Sequence, residues 1–109
     1  MECIFCRIAE GKIPSDVVYQ DDTVMAFKDI HPKAPTHILI IPKKHITSLA
    51  EISPEDLPVV THMIEVANKI AKQKGVSDGY RLVINTGGEA GQVVMHLHMH
   101  LLGGRKMID

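Results

Sequence analysis

Between residues 95 and 102 the chain reads MHLHMHLL, with His96, His98 and His100 at every second position and Met95, Leu97, Met99 and Leu101 between them. Two is the period of a β-strand, whose side chains point alternately to opposite faces; on a helix the same residues would scatter around the axis. The stretch therefore reads as a strand. One face carries histidines at steps of about 6.6–7 Å, and the other carries an apolar row that must be covered by a core. A strand of this kind needs sheet neighbours and a covering element, and 109 residues leave room for one small domain, spanning residues 1–109, to supply them.

Periodicity places those neighbours. DVVYQ (16–20) and TVMAFK (23–28) are β-branched or aromatic runs separated by Asp21 and Asp22, the pattern of a hairpin. THILIIP (36–42) is a third strand bounded by Pro35 and Pro42. The period then changes. Ser53 stands where an N-cap would, Pro54 at the first helical position and Asp56 three residues past the cap, followed by Leu57, Val60, Ile64, Ala67 and Ala71 at helical spacing until Gly75. YRLVIN (80–85) is a fourth strand, joined by the loop TGGEAGQVV to the histidine strand, and residues 4–10 form a short helical turn stopped by Gly11. Strands on both sides of one long helix, without regular βαβ alternation, predict an α+β fold. Its sheet is mostly antiparallel and five-stranded, with one long helix and a short N-terminal one.

Composition removes several classes of function. A net charge of −1 with scattered basic residues gives no electrostatic case for nucleic acid or anionic lipid as a partner. No apolar run approaches membrane-spanning length and the N-terminus does not read as a signal peptide, so the expected location is cytoplasmic. Hydrophobic residues make up 45% of the chain but aromatics only 4%, so Ile, Val, Leu and Met build the core. Association into an oligomer would supplement so small a core.

Three readings of the histidines stand side by side: polar residues on the wet face of a strand, ligands to a metal, or a nucleophilic imidazole facing a pocket. Two neighbours on one face can converge on one metal, but a third in line reaches it less easily. A nucleophile needs a neutral imidazole oriented through its other nitrogen and an electrophile held in front of it. The preceding NTGGEAGQ offers Gly87, Gly88 and Gly91, whose backbone N–H groups can approach an anion, although glycine-rich loops also join strands with no ligand at all. Together, loop and histidines suit a phosphorus centre attacked by an imidazole nitrogen. Cys3 and Cys6 form a C-x-x-C outside any βα setting for a redox motif, and a structural disulfide does not suit a cytoplasmic protein. They are either incidental small hydrophobes or half of a zinc site. His31 and His62 read as surface or satisfied polar residues, and Lys43 and Lys44 as a solvated pair.

The segments AFKDIHPKAPTHILIIPKKH, YRLVINTGGEAGQ and HLHMHLLGGR, in that order, resemble the histidine triad (HIT) superfamily, in particular its nucleotide-binding, purine nucleoside phosphoramidase branch. The resemblance spans nearly the whole chain. It implies a HIT-like fold, a homodimer, and a hydrolase that cleaves nucleoside 5′-phosphoramidates or related α-phosphate derivatives through a nucleotidyl-histidine intermediate, releasing the nucleoside monophosphate. Relatives in the same superfamily hydrolyse dinucleoside polyphosphates, and a regulatory nucleotide-binding role with incidental hydrolysis is the other alternative. Carried over by motif, His98 is the nucleophile, His100 its phosphate partner and His37 the residue that orients them. Asp29 is the ribose contact and Ile30 an apolar base contact. Phe5, Ile8 and Phe27 line the purine pocket, and Asn85, Gly91, Gln92 and Val93 meet the phosphate and leaving group. At Val93 many family members carry a serine, so a hydroxyl that assists the leaving group is replaced by an isopropyl. The resemblance also completes the zinc reading, because some superfamily members close a structural Zn²⁺ site with the residues that match His45 and His96 alongside Cys3 and Cys6.

Overall fold

The computed structural model describes residues 3–108. In chain order it contains helix α1 (Ile4–Ala9), strands β1 (Val17–Gln20), β2 (Val24–Lys28) and β3 (Thr36–Pro42), helix α2 (Leu57–Gln73), and strands β4 (Tyr80–Val83) and β5 (Met99–Gly103). The five strands form one antiparallel sheet in the order β1-β2-β3-β5-β4, the α+β arrangement that the alternating patterns predict. Asp21 makes the β1–β2 turn. Its Oδ1 accepts the backbone N–H groups of Thr23 and Val24, and its own N–H donates to the Val24 carbonyl. His62 of α2 and Tyr19 of β1 both bond the other oxygen, so the hairpin is also tied to the helix.

The sheet is covered on both faces, which is why β3 reads as a nearly unbroken apolar run and is buried along almost its whole length. One face, with Val24, Ala26, Ile38, Ile40, Leu97, Met99 and Leu101, packs on Met63, Val66, Ala67 and Ile70 of α2. The other face, with Met25, Phe27, Leu39 and Ile41, packs on Phe5 and Ile8 of α1. Truncating one fully buried side chain of this kind typically costs about 2–5 kcal/mol. The α2 side is thus the structural core, and the α1 side is thinner, closed by a helix of six residues.

Three details depart from the sequence reading. First, the regular strand begins at Met99 rather than at residue 95. β3 ends at Pro42, which has no N–H to donate to a continuing ladder, and the approach to β5 is held differently: Leu97 donates to the Ile46 carbonyl and the His96 ring to the Pro42 carbonyl. Leu97 still faces the core, but Met95 is half exposed. Second, Ser53 does not cap the helix. Its hydroxyl donates to the Asp56 carboxylate, and residues Pro54–Asp56 form a 3₁₀ turn before α2 proper. Third, the buried row of α2 is Met63, Val66, Ala67, Ile70 and Ala71, leaving Leu57 and Ile64 50% and 43% exposed. The helix carries apolar residues on two faces, and the sheet takes the one whose alanines allow close approach. β3 has the expected ends, and β1, β2 and β4 each differ from expectation at one end by one or two residues.

Candidate active site

On the α1 face a pocket of about 420 Å³ opens against β2, β3 and β5, a volume suited to a small-molecule ligand. One wall is apolar, built from Phe5 and Ile8 of α1, Phe27 of β2 and Ile30, with Asp29 at its edge. The opposite wall brings Asn85, Gly91 and Val93 of the loop beside His98 and His100. Of the residues that the sequence comparison singled out for nucleotide contacts, only Gln92 does not line the pocket. Its side chain is buried and fully engaged, accepting from the Gly87 N–H and donating to the carbonyls of Thr47 and Val94. It therefore braces the loop from behind. Gly91, at φ +98°, sits where an L side chain would be strained, so glycine is what lets the loop turn back toward the histidines. Val93 is 88% exposed at the pocket mouth.

Hydrogen bonds assign the protons on the histidines. The Lys33 backbone N–H donates to His37 Nδ1 at 3.0 Å, which places the His37 proton on Nε2. That proton faces His100 Nδ1 at 2.9 Å, with Asp29 Oδ2 at 3.4 Å. His100 Nδ1 is thus an acceptor, and the neutral ring carries its proton on Nε2, available to a ligand. His98 is oriented the other way. Its Nδ1–H donates to the His96 carbonyl at 2.7 Å, so the Nε2 lone pair is left for the pocket. A lone pair on one imidazole and an N–H on its neighbour, with the two rings 5.1 Å apart, are an arrangement that can supply a nucleophile and an anion donor side by side.

Burial keeps His37 and His100 neutral. It pushes the His100 imidazole from 6.5 down to about 4, assisted by the charges of His98, His37 and Lys33, and it lowers His37 as well. The unfolded chain takes up these protons near 6.5, so it binds more protons than the folded one below that pH. The two residues therefore leave stability intact above about 6.5 and erode it as the pH falls toward about 4. His62, raised by its bonds to Asp21 and Glu65, acts in the opposite sense, but it is partly exposed and its effect is smaller. Urea denaturation followed from about pH 8 to about pH 4 should show the midpoint falling below about pH 6.5. His100→Gln should flatten that fall, and an equal slope in both proteins would contradict this origin.

Behind the pocket wall, Cys3, Cys6, His45 and His96 come together with their ligand atoms all within 4.8 Å of one another. Cys6 Sγ lies 3.2 Å from His45 Nδ1, and the Nδ1 of His96 lies 3.3 Å from Cys3 Sγ and 3.5 Å from Cys6 Sγ. Tetrahedral zinc, with bonds of about 2.3 Å to sulfur and about 2.0–2.1 Å to nitrogen, holds such atoms about 3.5 Å apart, so the residues fit that metal. His96 is also presented as ligating histidines usually are: its Nε2–H donates to the Pro42 carbonyl at 2.8 Å, which turns the Nδ1 lone pair to the thiols. Burial and then the neighbouring Cys3 push the Cys6 thiol up to about 11, so a metal entering here would displace a proton. His62 is bonded to Asp21 and Glu65, whereas His31, exposed as expected, stands in the lining of the pocket.

The sequence reading passed over Lys33 and Leu39, which also line the pocket. Leu39 was within reach of it, since it shares a face with His37 at the strand period and pairs with His100 across the sheet. Lys33 comes from the β2–β3 loop, where no periodicity indicates direction.

Fold and site together define a class: small α+β proteins that present histidines from the middle of a sheet to a single pocket. The HIT domain family model matches residues 10–107, and the chain belongs to that family. It is 55% identical over 107 residues to the purine nucleoside phosphoramidase of Escherichia coli strain K12, across 97% of this chain and 90% of that protein. It is 51% identical over 106 residues to the 14 kDa zinc-binding protein of Zea mays, across 95% of this chain and 83% of the maize protein. The crystal structure of a HIT family hydrolase from Legionella pneumophila Philadelphia 1 superposes with a TM-score of 0.96 at 48% identity, covering 98% of this chain and 96% of that one.

Proposed function

We propose that this HIT family enzyme hydrolyses purine nucleoside 5′-phosphoramidates, or related α-phosphate derivatives, with His98 as nucleophile. The observation that carries the reading is the bond from His98 Nδ1–H to the His96 carbonyl, which leaves Nε2 as a free base facing the pocket. The purine lies between Phe5, Ile8, Phe27 and Ile30, and Asp29 accepts from the ribose hydroxyls. Asn85 and the loop backbone at Gly91 and Val93 hold the phosphate, with Gln92 keeping the loop in place. The Nε2 lone pair of His98 forms a bond to the α-phosphorus as the phosphorus–amine bond breaks, and the amine departs with a proton taken from solvent. The positive charge that develops on His98 is stabilised at Nδ1–H by the His96 carbonyl, and the charge on the phosphoryl oxygens by His100 Nε2–H. Water then cleaves the phosphorus–histidine bond, releasing the nucleoside monophosphate and the free imidazole.

Four ligands at Cys3, Cys6, His45 and His96 suit a structural Zn²⁺, which leaves His98 and His100 to the reaction. The reading includes one domain, a cytoplasmic location, no nucleic-acid or membrane partner, and a homodimer. No helix among the described residues is long and apolar enough to cross a membrane. The edge strand β4 and the outward Leu57 and Ile64 of α2 are surfaces a second copy would cover.

Adenosine 5′-phosphoramidate and diadenosine tetraphosphate, assayed side by side for AMP release, test the proposal. Faster turnover of the phosphoramidate is expected. Preference for the tetraphosphate would move the enzyme to the polyphosphate hydrolases, and no turnover of either would refute the hydrolase reading.

A further inference from the structure

One aromatic ring joins the two histidine sites. Phe5 stands between Cys3 and Cys6 in α1, and its ring makes edge-to-face contacts with His98 at 5.2 Å and 85°, with His96 at 5.9 Å and 73°, and with Phe27 at 5.6 Å and 70°. It therefore touches a zinc-site histidine, the proposed nucleophile and the wall of the base pocket at once. A second link runs through the backbone, because the His96 carbonyl is the acceptor that orients His98. The element carrying Phe5 is short. α1 has six residues, too few to be stable alone, and it is fastened through the Cys3 and Cys6 thiols and the burial of Phe5 and Ile8.

We infer that Phe5 is a positioning residue that couples metal occupancy of the Cys3–Cys6–His45–His96 site to nucleotide binding at His98. The inference rests on the reading of the pocket as a nucleotide site. A metal drawing two cysteines of α1 onto His45 and His96 fixes the position of the Phe5 ring between them. That ring then holds the His98 imidazole edge and the purine wall in the geometry a nucleotide needs. Without the metal, α1 keeps only its apolar contacts and the weak thiol–imidazole hydrogen bonds of Cys3 and Cys6, and the ring, the wall and the imidazole are held less firmly to one another. The metal does no chemistry at phosphorus in this scheme.

Coupling between two sites is reciprocal, and this supplies a test independent of turnover. AMP affinity would be measured by calorimetry on zinc-loaded and on chelated protein, and zinc affinity by competition with a chromogenic chelator with and without AMP. About a tenfold gain is expected in each direction, by the same factor. Phe5→Leu keeps all four ligands. It should bind zinc as tightly as the wild type, bind AMP more weakly, and show a coupling factor near one. Cobalt(II) in place of zinc should change its visible spectrum when AMP binds the wild type and not when it binds Phe5→Leu. If wild-type zinc and AMP both bind with no mutual effect, the inference fails while the nucleotide reading stands. Full coupling in Phe5→Leu would overturn the role of Phe5, and a protein that takes up no zinc would overturn the inference outright. If the zinc-loaded wild type binds no AMP, the nucleotide reading fails and the inference with it.

Discussion

His98→Ala is expected to lower kcat for a nucleoside phosphoramidate by about 10,000-fold or more while leaving AMP affinity within a few-fold of the wild type. The asymmetry follows from what the side chain does. In the proposed reaction its Nε2 lone pair bonds to phosphorus, whereas ground-state binding would be spread over the apolar wall, Asp29 and the loop that Gln92 braces. Truncation removes the donor to the buried His96 carbonyl, which costs about 1–3 kcal/mol against a typical total stability of about 5–15 kcal/mol, so the fold should persist. Rapid quenching followed by mass spectrometry of the intact protein should show an AMP adduct in the wild type and none in the variant. An adduct retained by His98→Ala would move the nucleophile elsewhere. By contrast, His100→Gln keeps a donor near the phosphate and should lose less, by a factor of about 100–10,000.

The second large effect concerns the metal. A ligand bound only by the folded state stabilises it by about 4 kcal/mol at a thousandfold excess over its Kd, and for a domain of this size that corresponds to roughly 15–30 °C in Tm. Cys3→Ser/Cys6→Ser, or treatment of the wild type with a strong chelator, is expected to lower the Tm by that order and to remove bound zinc as measured by mass spectrometry of the metal. The protein should still melt cooperatively, because the α2 face of the sheet does not depend on the cluster. This separates it from zinc-finger modules, which have no core without metal. Unchanged metal content and Tm in the double serine variant would dispose of the four-ligand site.

Much of the fold was legible because local periodicity and tertiary burial agree. The hairpin at Asp21, the buried run of β3 and the Leu97–Met99–Leu101 row all follow from patterns within a few residues. The helix face was not legible in that way. Of the expected row, Ala67 and Ala71 are buried and Val60 packs against the core, but Leu57 and Ile64 stay outside while Met63, Val66 and Ile70 fill the interior, a choice that only the sheet decides. Cys3 and Cys6 announced half of a site by their spacing. His45 and His96 lie 39 and 90 positions from Cys6, and only a resemblance could supply them before a fold existed. Gln92 illustrates the opposite limit. An amide beside a glycine loop looks like a phosphate ligand until its partners Gly87, Thr47 and Val94 are seen to occupy it.

The order β1-β2-β3-β5-β4 has a consequence for how the protein is made. β4 joins the rest of the sheet only through β5, and β5 is also the strand that follows His96 and His98 and carries His100. A nascent chain that has left the ribosome only as far as β4 lacks the row that unites the sheet, so it can neither complete the α2-side core nor assemble the pocket. Docking of the last strand is then the step at which a loose meander becomes an enzyme, and pairing over such sequence distances is intrinsically slow. Competence for chemistry and completion of folding thus arrive together, and an unfinished chain has no histidine row with which to react.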